Sequence, residues 1–166
     1  MPRRSNIAGL AMLMLTPALL GAQHAATSRD KTVLFVCEHG TVKSLLAKVL
    51  FEEYAKEVGL EMQAVSRGTR ADSVVPTWML QGLAADKITL GTWRPQTLRP
   101  ADLEAASMVV SFDVPPTATA AAKVPRAQWD GTPSVSKDYA NGRDAIKVRV
   151  HQLVDSLKRA EGTRRR

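Results

Sequence analysis

The stretch Val33-Leu34-Phe35-Val36-Cys37-Glu38-His39-Gly40-Thr41-Val42-Lys43-Ser44-Leu45-Leu46-Ala47 runs an apolar strand into the only cysteine of the chain, then a short polar loop, then an amphipathic helix. A thiol is thereby set at a helix N-terminus. The first N–H groups of a helix have no partner within it, so a loop entering a helix makes a cradle for an anion, and the same field favours thiolate over thiol. The pattern therefore predicts a nucleophile lying beneath a bound oxyanion. Gly40 takes a left-handed backbone without strain, which such a loop needs. A lone cysteine is most often a buried structural thiol. Here the flanking Gly40, Lys43 and Ser44 and the strand-loop-helix context favour chemistry over packing.

The rest of the chain supplies a domain around this loop. Its 166 residues, 45% of them hydrophobic, suit one compact core. Helical and strand patterns alternate, which predicts an α/β fold: a three-layer sandwich with a central parallel sheet of about four strands and helices on both faces. In such sheets ligands sit beyond the carboxyl ends of strands, where Cys37 falls. The helix after the loop carries Leu46, Val49, Leu50, Tyr54 and Val58 as one buried stripe and stops at Gly59. A second strand reads at Met62–Ser66, followed by an Arg67-Gly68-Thr69 turn. A helix beginning near Pro76 brings Trp78, Met79, Leu83 and Ala84, with the aromatic and methionine expected to face the core. The third main strand reads at Met108–Phe112, and Asp113 ends it in a surface or capping role. The region Pro115–Val124 reads equally as a frayed helix or a loop. A short strand at Arg126–Trp129 precedes a closing helix with Ile146, Val150, Leu153, Val154 and Leu157 on its buried face.

The two ends read differently. Arg3-Arg4, an uncharged apolar run from Ile7 to Ala22 and small residues around Gly21–Ala26 follow one another in the order of a secretory signal peptide. Residues 1–25 are thus expected to be a signal, or an N-terminal anchor if uncleaved, with 26–31 as linker, 32–160 as the domain and 161–166 as a basic tail. Export makes a periplasmic or secreted protein the expectation. An odd cysteine there is either an intermolecular partner or a free reactive thiol. The formal net charge of +7 owes much to Arg3, Arg4, Lys158, Arg159 and Arg164–Arg166 at the two ends. No aromatic residues interleave with these charges, which argues against nucleic acid, and a membrane enters only through an uncleaved N-terminal segment. His24, His39 and His151 are too scattered to ligate a metal, and no cofactor is expected.

The loop resembles the phosphate-binding loop of low-molecular-weight protein tyrosine phosphatases and the related arsenate reductases: strand, cysteine, five residues, a cation, then serine. The pattern covers almost everything after about Thr32. The resemblance implies phosphomonoester hydrolysis through a cysteinyl-phosphate at Cys37. Glu38, His39, Gly40, Thr41, Val42, Lys43 and Ser44 would surround the substrate, and Ser44 would hydrogen-bond the thiolate. The loop reads His39-Gly40 where the family usually shows glycine then asparagine, and two further positions depart from the family. Lys43 stands where the family has arginine, giving charge without the planar fork that grips two oxygens, so rate should suffer more than binding. Thr132 stands before Pro133 where these phosphatases are implied to carry the aspartic acid that protonates the leaving group, and threonine has no proton of suitable pKa. Asp130 and Asp138 flank that place. Asp130 is the candidate substitute acid, and both also read as turn or cap residues.

Glu38 and His39 are expected to project to the rim, where Glu38 repels anions unless His39 or Lys48 offsets it. Three readings follow: a phosphatase acting on a phosphorylated small molecule or phosphoprotein, an exported oxyanion-binding pseudophosphatase, and an arsenate reductase that borrows an external thiol.

Overall fold

The computed structural model describes residues 31–164; the expected signal segment Met1–Ala25 and most of the linker lie outside the described residues. Four strands, β1 (Thr32–Cys37), β2 (Gln63–Gly68), β3 (Met108–Ser111) and β4 (Arg126–Gln128), form one sheet of order β2-β1-β3-β4 with every neighbouring pair parallel. Four helices join them: α1 (Lys43–Glu57), α2 (Thr77–Ala85), α3 (Pro100–Ala105) and α4 (Tyr139–Arg164). The expected α/β sandwich is therefore present.

Strand β1 explains the layering. It is paired on both edges, and Val33 to Val36 are wholly buried, as parallel strands covered on both faces must be. Side chains alternate across the sheet, so Val33, Phe35 and Cys37 enter one core with Leu46, Leu50 and Phe51 of α1 and Ile146, Val150 and Val154 of α4. Leu34 and Val36 enter a second, smaller core with Leu103 of α3, Ala106, Val109 and Val114. The single-residue alternation thus fixes on which face the thiol emerges.

The chain runs from β1 outward to β2, then crosses to β3 on the other edge of β1. The carboxyl ends of β1 and β3 consequently flank a crevice at the point where the winding reverses, the place where open α/β sheets bind ligands. Cys37 closes β1 at this point.

Several boundaries differ from the sequence reading. β2 continues two residues further, to Gly68, because its end pairs with Cys37 and bridges to Thr97. The Pro115–Val124 region contains a 3₁₀ turn at Pro116–Thr119. Helix α4 runs on to Arg164, through residues expected in the basic tail. Trp78 is not in the core: α2 is short and buries only Met79 and Leu83, leaving Trp78 36% exposed and Ala84 exposed. A helix of nine residues has one narrow apolar face, and the indole falls beside it.

Candidate functional site

The loop between β1 and α1 is built by its carbonyls. Those of Cys37, Glu38 and His39 accept the N–H groups of Thr69, Arg70 and Asp72 at 2.9, 2.8 and 3.0 Å, and that of Gly40 accepts the Ser66 hydroxyl at 3.0 Å. With successive carbonyls turned toward the segment after β2, the loop's N–H groups are left to face the other way. That of Gly40 donates to Cys37 Sγ at 3.2 Å. The loop can lie this close to β2 only because both contact points are glycine. A Cβ on Gly40, whose φ is +71°, would meet Gly68 N at 2.7 Å, and one on Gly68 would meet His39 C at 2.8 Å and Glu38 O at 2.9 Å. Gly68 is thus a residue of close backbone approach as well as of a turn.

At the floor lies a fully satisfied polar chain. Cys37 Sγ and Ser44 Oγ are 3.0 Å apart, and Ser66 Oγ donates to Ser44 Oγ at 2.9 Å. The single Ser66 proton is shared between the Gly40 carbonyl and Ser44 Oγ, and when it turns to Ser44 the Ser44 proton is free to point at the sulfur. Cys37 is 6% exposed, while Ser44 and Ser66 are wholly buried. The first turn of α1 has no side-chain cap at Val42 and no acidic residue. Its positive end is therefore left to whatever anion occupies the crevice.

Above the sulfur opens a cavity of about 250 Å³, lined by Cys37, Glu38, His39, Val42, Lys43, Phe112, Asp113 and Ser134–Ser136. Of the residues expected around a substrate, Glu38, His39, Val42 and Lys43 line it directly. Thr41 does not: it is wholly buried, and its hydroxyl donates to Asp72 Oδ2 at 2.8 Å. Glu38 and His39 sit half-exposed on the rim, as anticipated. Glu38 pairs with Arg70 at 2.5 Å and lies 3.5 Å from His39 Nε2, whereas Lys48 is turned to Glu52. The charge of Glu38 is thus offset by Arg70.

The cation side is arranged differently. Lys43 Nζ donates to Asp113 Oδ2 at 2.5 Å and to the carbonyl of Thr132 at 2.9 Å. Asp113 follows β3 and, at φ 48°, adopts the left-handed conformation that aspartate tolerates when its side chain bonds locally. Its Oδ1 accepts the Gly131 N–H at 3.2 Å. Asp113 is exposed and caps the Gly131 N–H, in keeping with the surface or capping role expected for it, and it also lines the cavity and holds Lys43. Asp130 faces away from the cavity. Its Oδ1 accepts the Asp113 N–H at 2.9 Å and the Gln128 side chain at 3.1 Å. Thr132 is buried and gives its hydroxyl to the carbonyl of Trp129. Asp138 accepts the Asn141 N–H at 3.0 Å, a cap at the start of α4.

Residues 32–162 match the family model of the low molecular weight phosphotyrosine protein phosphatase. The chain belongs to this phosphatase family. Solved structures agree on the fold. YfkJ from Bacillus subtilis superimposes with a TM-score of 0.70 at 16% identity, covering 78% of this chain and 96% of that one. The YwlE arginine phosphatase from Geobacillus stearothermophilus gives 0.66 at 19%, covering 79% and 95%. The thioredoxin-dependent arsenate reductase Cg_ArsC1' of Corynebacterium glutamicum gives 0.63 at 20%, covering 78% and 63%. No curated protein matches. Phosphatases and arsenate reductases thus share the neighbourhood of this low-molecular-weight phosphatase chain, and at these identities the likeness speaks for the fold.

Sequence reasoning missed Ser66, Asp72, the Lys43–Asp113 pair and the Ser134–Ser136 wall. Only Ser66 left a local trace, as a small polar residue on the buried alternation of β2.

Proposed function

We propose that the chain hydrolyses a phosphomonoester through a cysteinyl-phosphate at Cys37. The observation that carries this reading is the sulfur itself, set at the floor of the cavity between the Ser44 hydroxyl and the Gly40 N–H. A structural thiol needs neither donor, whereas an attacking and departing thiolate needs both. In the proposed reaction Sγ attacks phosphorus in line and the ester P–O bond breaks, leaving the phosphoryl group on sulfur with its oxygens facing the loop amides. Water then displaces the sulfur and phosphate leaves. Lys43 contributes its charge. Two of its three N–H groups are engaged by Asp113 and Thr132, so one remains for a phosphoryl oxygen. Its grip is therefore weaker than a guanidinium fork would provide.

The test is hydrolysis of an aryl phosphate with a good leaving group, which needs little protonation, by the wild-type chain and by Cys37→Ser. Turnover is expected in the former and a fall of at least ~10³-fold in the latter. Lys43→Arg should raise kcat by about tenfold. Phosphate binding without any Cys37-dependent turnover would instead support the pseudophosphatase reading, which the Lys43–Asp113 pairing favours. An arsenate reductase would need an external thiol, since Cys37 is the only cysteine. The proposal also sets the working protein outside the cytoplasm, on the signal-like order of charge, apolar run and small residues in Met1–Ala26.

A further inference from the structure

The cavity has a nucleophile, yet most side chains near it that could give a proton are committed elsewhere. Asp130 is turned to the Asp113 N–H and Gln128, and Thr132 to a carbonyl. Asp113 serves Lys43 and Gly131, and Glu38 serves Arg70. His39 is the remaining titratable side chain of the lining, and its surroundings are ordered. Asp72 Oδ1 lies 3.1 Å from His39 Nδ1, while Asp72 Oδ2 is held by the Thr41 hydroxyl at 2.8 Å and the Asp72 N–H donates to the His39 carbonyl at 3.0 Å. Asp72 is thus fastened to the loop at three points, and its carboxylate fixes the proton on Nδ1. The other ring nitrogen, Nε2, has Glu38 Oε2 at 3.5 Å, an ion-pair distance beyond a good hydrogen bond. Nε2 is thus open to a ligand in the cavity that His39 lines.

We propose that His39 is the general acid and base of this site, with Asp72 as the residue that positions it. The inference rests on the cysteinyl-phosphate reading. As Cys37 Sγ bonds to phosphorus, the P–O bond of the ester breaks, its electron pair goes to the leaving oxygen, and that oxygen takes the proton from Nε2 of the imidazolium. Neutral Nε2 then accepts a proton from the water whose oxygen attacks phosphorus. The S–P bond breaks, the thiolate is restored, and phosphate and imidazolium remain. Two carboxylates face the ring, Asp72 at Nδ1 and Glu38 at Nε2. Arg70 bears on it only through Glu38, and Lys43 shares the cavity with its charge paired to Asp113. The substrate class this admits is the unactivated phosphomonoester, whose alkoxide or phenolate leaves slowly without a proton.

The experiment compares kcat/KM for phenyl phosphate and for 2,4-dinitrophenyl phosphate across pH in wild type, His39→Gln, Asp72→Asn and Cys37→Ser. His39→Gln should lose ~10²-fold or more on phenyl phosphate, and under ~3-fold on the dinitrophenyl ester. The alkaline limb of the phenyl phosphate profile should vanish with it. Asp72→Asn should fall between, on phenyl phosphate alone. Equal losses on both esters, or an unchanged alkaline limb, would overturn the role of His39 while leaving Cys37 chemistry in place. Cys37-independent turnover, or none of either ester by wild type, would overturn the cysteinyl-phosphate reading and the role of His39 with it.

Discussion

The two sides of the cavity are built to different standards. On the sulfur side, Cys37, Ser44 and Ser66 form a buried chain of 2.9–3.0 Å contacts, and the loop above them is pinned to β2 and the segment after it through four carbonyls. On the cation side, Lys43 is drawn to Asp113 and a backbone carbonyl, and Asp130 braces the turn instead of facing the ligand. The lesson is that the sulfur and the cation of this cavity are held by separate pieces of structure. One can be kept while the other is rebuilt.

With the sulfur itself left in place, the largest combined effect on stability and turnover comes from breaking the sulfur side at its backbone. Gly40→Ala forces a Cβ to 2.7 Å from Gly68 N at a φ of +71°. It should destabilise the fold by about 2 kcal/mol and, by displacing the loop, cut turnover by ~10²-fold. Denaturant unfolding beside steady-state kinetics checks both. Ser44→Ala removes the hydroxyl that faces the sulfur, and kcat should fall by about tenfold or more while KM changes little, since the bond matters most to a charged sulfur.

On the other side, Asp113→Asn sharpens the contrast in the opposite direction. Removing a carboxylate that competes for Lys43 should tighten inhibition by inorganic phosphate about two- to fivefold, read as a lower inhibition constant. No change would mean that Lys43 does not reach the anion.

The smallest effect on turnover is expected beneath the loop. Arg67 of β2 and Asp102 of α3 make a nearly buried ion pair at 2.8 Å, and Asp102 also accepts the Arg99 N–H at 2.8 Å. Burial opposes the Asp102 charge, but the Arg67 hydrogen bond, the Arg99 N–H and the two guanidinium charges together hold its carboxyl below the usual range. A depressed carboxyl stabilises the fold above its unfolded pKa, about 3.9, and that contribution is lost as pH falls through the lower folded value. Asp102→Asn should cost about 2 kcal/mol at neutral pH and leave kcat near wild type, with the stability gap closing below about pH 4. Thermal melts over that pH range test it.

How far the sequence reveals this molecule depends on range along the chain. Cys37, Gly40 and Ser44 lie within eight residues of each other, so their loop-helix geometry could be read directly, as could the face of α4 carried by Ile146, Val150 and Val154. The family pattern likewise made the sheet legible. Lys43 with Asp113 and Thr132, and His39 with Asp72, join residues 33 to 89 positions apart. Such pairs exist only because the strand order brings the ends of β1, β2 and β3 together, and no local periodicity announces them. Asp113 reads as a cap in isolation for this reason. Trp78 fails on another ground: hydrophobicity speaks for burial only where an element is long enough to offer a second covered face.

The contact between Ser66 and Ser44 bears on the order in which the molecule matures. Ser44 can meet Cys37 as soon as α1 forms, but Ser66 reaches it from 22 residues away, on a strand that must first dock on β1. Contacts of longer range close later than local ones. Until β2 is seated, the Gly40 carbonyl lacks the Ser66 hydroxyl and those of Cys37, Glu38 and His39 lack their partners, so nothing obliges the loop to turn its amides to the sulfur. In a newly made chain the surroundings of the sulfur are therefore completed only with the last stages of sheet assembly.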